Sequence, residues 1–189
     1  MSRFDRAILE RALAYVGGPP TRPPFETPPD DLAVRVALAL GERFEGFQAH
    51  PYLCPAGVPT IGLGATYYAD GRPVKLTDPP ISIEAARRLQ VLTIQREYMP
   101  AVLRLCPNVR DPYLLAALID FTFNLGAGNL AASTLRRKVN AGEMDAAYSE
   151  FLRWVRAAGR VLRGLVLRRQ AEVHVARTRS FHFPEGATP

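Results

Sequence analysis

The stretch RFEGFQAHPYLCPAGVPTIGLG, residues 43–64, is where the chain changes from one periodicity to another. Upstream, Asp30-Asp31 precede LAVRVALALGERFEGF, in which Leu32, Val36, Leu40 and Phe44 recur at helical spacing and Gly46 offers a stop. A helix here leaves Glu45 in its last turn. Downstream, across residues 51–77, prolines, Ala56-Gly57 and Asp70-Gly71 punctuate short segments such as VPTIGLG, TYY and PVKL. Asp-Gly between extended segments is a hairpin signal, so a small antiparallel sheet of two or three strands is expected. Folded back over the helix end, that sheet brings Cys54 and Thr60 to face Glu45 across a cleft.

Beyond residue 77 the pattern is helical to the end, with segments expected near 82–105, 110–124, 128–140, 143–156 and 160–177. Ser82 and Asp111 read as helix starts, Asn124-Leu125-Gly126 and Asn140-Ala141-Gly142 as terminations, and Pro100 as a bend or break. The fold class is therefore α+β: a small antiparallel β-hairpin lobe leaning on a larger helical lobe, with a ligand cleft between them. Three segments divide the chain. Residues 1–29 read as a short amphipathic helix and the proline-rich connector PPTRPPFETPP, 30–178 as the domain that carries the cleft, and 179–189 as a tail.

With 189 residues the chain is long enough for one core without disulfides or metals. Its balance is basic, Lys+Arg 24 against Asp+Glu 18, and Lys75 and Lys138 are its only lysines, so arginine supplies nearly all the positive charge. Such a surface suits a polyanionic partner. Nucleic acid is disfavoured because no zinc-finger, basic-zipper or single-strand RNA module is present. Cys54 and Cys106 are too few for a disulfide framework, and His50, His174 and His182 lack ligand partners at metal spacing, so no metal site and no cofactor are expected. No apolar run reaches the roughly 18 residues of a membrane span, and charges interrupt the first segment, unlike a secretory signal.

The chemistry available to Glu45, Cys54 and Thr60 is acid donation opposite a held water. A glutamate beside Phe44 and Phe47 sits where the charged carboxylate is disfavoured, and Thr60 offers a hydroxyl to a water. The pattern Glu-x8-Cys-x5-Thr resembles the Glu, Asp-or-Cys, Thr signature of phage-type lysozymes, family 24 of the glycoside hydrolases. TIGLG (60–64), FNLGAGNLAASTL (123–135), VNAGE (139–143), Trp154 and GLVLRRQAE (164–172) are similar to further segments of that family, in its order. The resemblance covers about residues 32 to 177.

It implies a lysozyme-like fold and hydrolysis of the β-1,4 bond between N-acetylmuramic acid and N-acetylglucosamine in bacterial peptidoglycan. Glu45 would be the general acid and Thr60 would position the attacking water. Cys54 stands where many members have aspartate; a thiol of ordinary pKa ~8.5 is mostly neutral at pH 7, so an orienting or partial-base role is assigned and direct attack on the sugar stays open. Phe123, Asn124 and Thr134 fall at cleft-lining positions. Of Arg168 and Arg169, one is expected to meet Glu45 or substrate anions, and the reading favours Arg169. With no second carboxylate at the site, inversion is favoured.

Several residues carry a plain reading beside the functional one. Gly62 and Gly64 either relieve a twisted strand or let a polymer approach; Asn124 could be a helix cap; Trp154, with Phe151 and Val155, reads as core. The protein is expected to be a monomer, made in the host cytoplasm without a signal peptide and acting on the periplasmic cell wall, with a holin as the possible route. Its rivals are a peptidoglycan-binding or virion structural protein without activity, a nucleic-acid binder, and a transglycosylase using the same acid.

Overall fold

The computed structural model describes residues 29–54 and 57–181. The expected opening helix and nearly all of the proline-rich connector, and the tail past residue 181, lie outside the described residues. Helix α1, Pro29–Glu45, starts on a proline, whose fixed φ and missing N–H suit a first helical turn. It stops at Gly46, where φ is +68°, a conformation that costs little only without a Cβ. Its apolar stripe faces inward as spaced: Val36 and Leu40 are buried, and Leu32 and Phe44 pack partly buried beside them.

Strands β1, Gln48–Leu53, and β2, Pro59–Gly62, pair antiparallel, with Tyr52 opposite Thr60 and Leu53 opposite Pro59. The third expected segment joins only by bridges, Ile61 with Ala65 and Tyr67 with Pro73. Asp70-Gly71 turns between them, the Asp70 carboxylate accepting from the Arg72 N–H at 2.9 Å. Ile61, Ala65, Val74 and Leu89 give this lobe a small core of its own.

Helix α2, Ile83–Thr93, opens on Ser82, whose hydroxyl accepts from the Ala85 N–H at 3.2 Å. It runs through a π turn, Ile94–Tyr98, into α3, Met99–Leu105. Pro100 would press on the Arg96 carbonyl in a regular helix. The π turn relieves this upstream, with the Met99 N–H reaching back to the Ile94 carbonyl, so the chain is distorted but stays helical.

Helix α4, Pro112–Leu125, is the centre of the larger lobe. Every residue from Leu114 to Thr122 is buried, the pattern of a helix covered on all sides. Helix α1 and the final helix, α8 (Arg163–Thr178), both pack against it.

Two expected helices are corrected. The one over 128–140 is two, α5 (Ala127–Ala132) and α6 (Thr134–Asn140), because Ser133 is extended and caps α6 by accepting from the Arg136 N–H at 3.0 Å. The one over 143–156 ends early as α7, Met144–Phe151. A short hairpin follows, β3 (Arg156–Ala157) with β4 (Arg160–Val161), turning on Ala158 and Gly159 at φ 47° and 77°. Trp154 packs edge-on against Phe121 at 5.4 Å, and Phe121 against Phe151 at 5.6 Å, which fits its core reading.

Candidate active site

Glu45 leaves α1 at the point where the chain turns into the hairpin, and its side chain keeps 30% exposure. Its carboxylate accepts from Arg168 Nη1 at 2.5 Å. The same guanidinium gives Nε and Nη2 to the two oxygens of Asp120, both at 2.8 Å. Three helices thus converge: α1 supplies Glu45, α4 Asp120 and α8 Arg168. Asp120 is 1% and Arg168 4% exposed, so this pairing is enclosed and, of the three, only Glu45 reaches solvent.

The charges in this cluster hold one another. Burial works against the Arg168 charge, but the Asp120 and then the Glu45 carboxylates more than offset it, and the guanidinium is held above its ordinary range. For Asp120 burial again opposes the charged form, yet the Arg168 charge and its paired hydrogen bonds hold the carboxyl below its ordinary value. The Phe44 and Phe123 rings lie 5.6 and 5.4 Å from the Arg168 guanidinium carbon. Glu45 therefore does not sit in the apolar setting expected beside Phe44 and Phe47: a buried cation faces it, and Phe47 is exposed.

On the hairpin side the Val58 carbonyl accepts from the Cys54 N–H at 3.1 Å and from the Thr60 hydroxyl at 2.9 Å. The Gly57 N–H closes the turn onto the Cys54 carbonyl at 2.8 Å. Thr60 is 3% exposed and Cys54 is half-buried. Tyr52, opposite Thr60, has its phenol pushed up by burial first, then by the Glu45 and Cys54 charges. One ring between the lobes therefore lies within electrostatic reach of both groups. Residues directly opposed in an antiparallel pair project from the same face, which puts Thr60 on the Tyr52 side of the hairpin.

Phe123 borders the same region. Its ring edge meets Tyr98 at 5.4 Å, and Tyr98 is itself pushed up by burial, then by Glu97 and Glu45. A Cβ on Gly64 would come within 3.3 Å of the Phe123 ring, and one on Gly62 within 2.7 Å of the Ala86 Cβ. Close packing between lobes thus accounts for both glycines. Asn124 is half-buried near the end of α4, its amide oxygen enclosed with no hydrogen-bond partner among the described residues. Gly126, not Asn124, makes the helix termination, at φ +87°.

Thr134 lies elsewhere. It lines a hollow of about 390 Å³ with Ala132, Ser133, Glu150, Arg153 and Trp154, bordered by none of Glu45, Cys54 or Thr60. Arg169 is corrected. It is 0% exposed and donates to Glu172 at 2.5 Å, one position out of phase with the helix face that meets Glu45. Neighbours along a helix lie about 100° apart, so the arginine reaching Glu45 is Arg168.

Sequence reading missed Asp120, Tyr52, Tyr98 and Glu172. Asp120 had left a signal: it is the lone acid within LLAALIDFT, an otherwise uncharged run in the centre of α4. A charge in such a run needs a buried partner.

The phage lysozyme family model matches residues 42–172. The SAR-endolysin of Bacteriophage PS119 is 34% identical over 145 residues, spanning 75% of this chain and 83% of that protein. That of Enterobacteria phage P21 is 32% identical over 147 residues, 75% and 84% of the two chains. Among solved structures, the endolysin from Escherichia coli O157:H7 phage FAHEc1 superposes with a TM-score of 0.69 at 26% identity, covering 79% of this chain and 95% of that one. A P22 lysozyme mutant superposes with a TM-score of 0.66 at 27% identity, covering 74% and 94%.

Proposed function

The chain belongs to the phage lysozyme family, and from that membership we propose how its site divides the work of cutting peptidoglycan. It is a lysozyme-like α+β glycoside hydrolase, a muramidase and endolysin, hydrolysing the β-1,4 bond between N-acetylmuramic acid and N-acetylglucosamine. A wall-binding or virion protein without activity is not favoured.

In our reading Glu45 is the general acid. Its proton goes to the glycosidic oxygen as the bond to the anomeric carbon breaks, leaving a carboxylate that Arg168 stabilises. A water then bonds the anomeric carbon from the hairpin side. The Thr60 hydroxyl already gives its hydrogen to Val58, so its oxygen is left as an acceptor able to orient that water. Cys54 orients the same water and, as the thiolate, takes the proton that water gives up when its oxygen bonds the anomeric carbon. The hairpin from Gln48 to Gly64 contains no aspartate or glutamate to form a glycosyl ester, which favours single displacement with inversion.

The observation that carries this reading is the position of Tyr52, opposite Thr60 in the ladder and within electrostatic reach of both Glu45 and Cys54. Phe123 and Asn124, both half-buried, would line the sugar path, and the hollow at Thr134 would take a more distant part of the polymer. Substrate contact by Arg169 is dropped, since that side chain is fully buried.

The relatives named endolysins make the cell wall the place of action. Among the described residues no helix is long and apolar enough to cross a membrane. We propose a monomer that meets the periplasmic wall through a holin-dependent route. The enzymatic reading is tested by turbidity loss of purified cell walls. Wild type clears them and Glu45→Gln does not. Mass spectra of the released muropeptides should show reducing ends; anhydro-sugars would mean transglycosylation instead.

A further inference from the structure

The Glu45 acid rests on more than its immediate partner. Arg168 is a fork with three arms in use, two on Asp120 at 2.8 Å and one on Glu45 at 2.5 Å. Asp120 is the more buried acceptor, held doubly by its guanidinium, whereas Glu45 receives a single arm and remains open to solvent. Beneath them Glu172, fully enclosed, accepts from Arg169, and burial pushes its carboxyl well above its ordinary value. The cluster therefore holds three carboxyls, Glu45, Asp120 and Glu172, against two guanidiniums, Arg168 and Arg169. It is electrically balanced when one carboxyl carries a proton, and burial makes fully enclosed Glu172 the one that holds it.

We propose that Asp120 is a positioning residue for the hydrolysis: by occupying two arms of Arg168 it limits the hold of that cation on Glu45, so that Glu45 can carry the proton it donates. The inference rests on Glu45 being the acid. Without the Asp120 charge, Arg168 would act undivided on Glu45 and the nearest buried negative charge would be gone. Both changes favour the Glu45 carboxylate, so the pH at which it loses its proton falls. The other groups around Glu45 are the Tyr52 phenol and Cys54 thiol from the hairpin and the Tyr98 phenol from the π turn, and substitution at Asp120 leaves all three in place.

The test is the pH dependence of kcat/KM on a soluble chitooligosaccharide or muropeptide, with thermal denaturation run in parallel. Asp120→Asn should move the alkaline limb down by about half a pH unit, a shift kept modest because Glu45 is partly solvated. Arg168→Lys is the second variant, and the one that decides if Asp120→Asn does not fold. A single ammonium cannot span both carboxylates, stays with the buried Asp120, and releases Glu45, so its alkaline limb should move up. Opposite displacements support the proposal. Loss of rate with an unmoved limb, tracking loss of thermal stability, assigns Asp120 a structural role only and overturns it. Glu45→Gln measured alongside separates the two readings: activity retained in that variant removes the acid assignment, whereas an inactive Glu45→Gln with unmoved limbs in the other variants removes only this inference.

Discussion

Cys54 and Thr60 share one acceptor. The Val58 carbonyl takes the Cys54 backbone N–H at 3.1 Å and the Thr60 hydroxyl at 2.9 Å, so the turn that fixes the sulfur also fixes the oxygen. Thr60→Val should keep the hairpin, because its backbone pairing with Tyr52 does not depend on the side chain, while wall clearance falls by about 10²-fold or more, the scale of a lost acid–base or water-orienting group. Thr60→Ser should recover most of the rate. Clearance at the wild-type rate by the valine variant would remove Thr60 from the mechanism.

Removing the buried cation should cost stability out of proportion to a surface charge. Arg168→Met strands Asp120, 1% exposed, without a counter-charge, a loss of about 3–5 kcal/mol. For a chain of this size that lowers Tm by about 10 °C. The sign with pH follows from Asp120, whose folded carboxyl lies below its ordinary value: its pairing stabilises the wild type above about pH 4 and is lost on acidification. Calorimetry should show the gap between wild type and variant narrowing as the pH drops below that range.

The two cysteines should separate by chemistry. Cys106 is 0% exposed and burial pushes its thiol up to about 11 from an ordinary 9.0. A thiol-specific reagent should modify Cys54 in the native protein and reach Cys106 only after denaturation. A raised folded value means that Cys106 contributes its full stability below pH 9.0 and loses it as pH climbs toward about 11. In Cys106→Ala the decline of denaturation midpoint over that alkaline window should flatten.

Gly62 has a packing role that can be separated from any role toward substrate. Its φ of +70° and the 2.7 Å approach of a Cβ to Ala86 mean that Gly62→Ala must displace α2 or the hairpin. A cost of about 1–3 kcal/mol in urea denaturation is expected. An alanine variant as stable as wild type would argue that the two lobes are not locked at this contact.

A net charge of +6 should speed encounter with an anionic wall. Raising ionic strength from about 0.01 to 0.3 M shortens the screening length from about 30 to under 10 Å and should slow clearance of cell walls. Turnover of a small uncharged oligosaccharide should change much less; equal sensitivity of both would place the salt effect on the site itself.

How much was legible in the residues depended on how local each feature is. Gly46 ends α1 through its own backbone, and Ser82 and Asp111 accept from N–H groups two or three residues ahead; such signals lie within a single turn and can be read along the chain. Ser133 offered the same kind of signal, but the apolar spacing on either side hid the break, and Ala158-Gly159 gave a turn without an obvious flanking strand pattern. The choice between Arg168 and Arg169 had no local answer. Both are arginines on one helix, 123 and 124 positions from Glu45, and only the rotation of α8 against α1 and α4 selects one.

By itself the sequence determined most of the elements, with Glu45 at the end of α1 and Cys54 and Thr60 on the hairpin that follows, because helix spacing, caps and tight turns act over a few residues. Only the tertiary structure decided that Arg168 holds Glu45, that Asp120 holds Arg168, and that Arg169 is spent on Glu172. Those pairings join α1, α4 and α8 across long stretches of chain, and a buried charge takes whichever partner packing brings within about 3 Å.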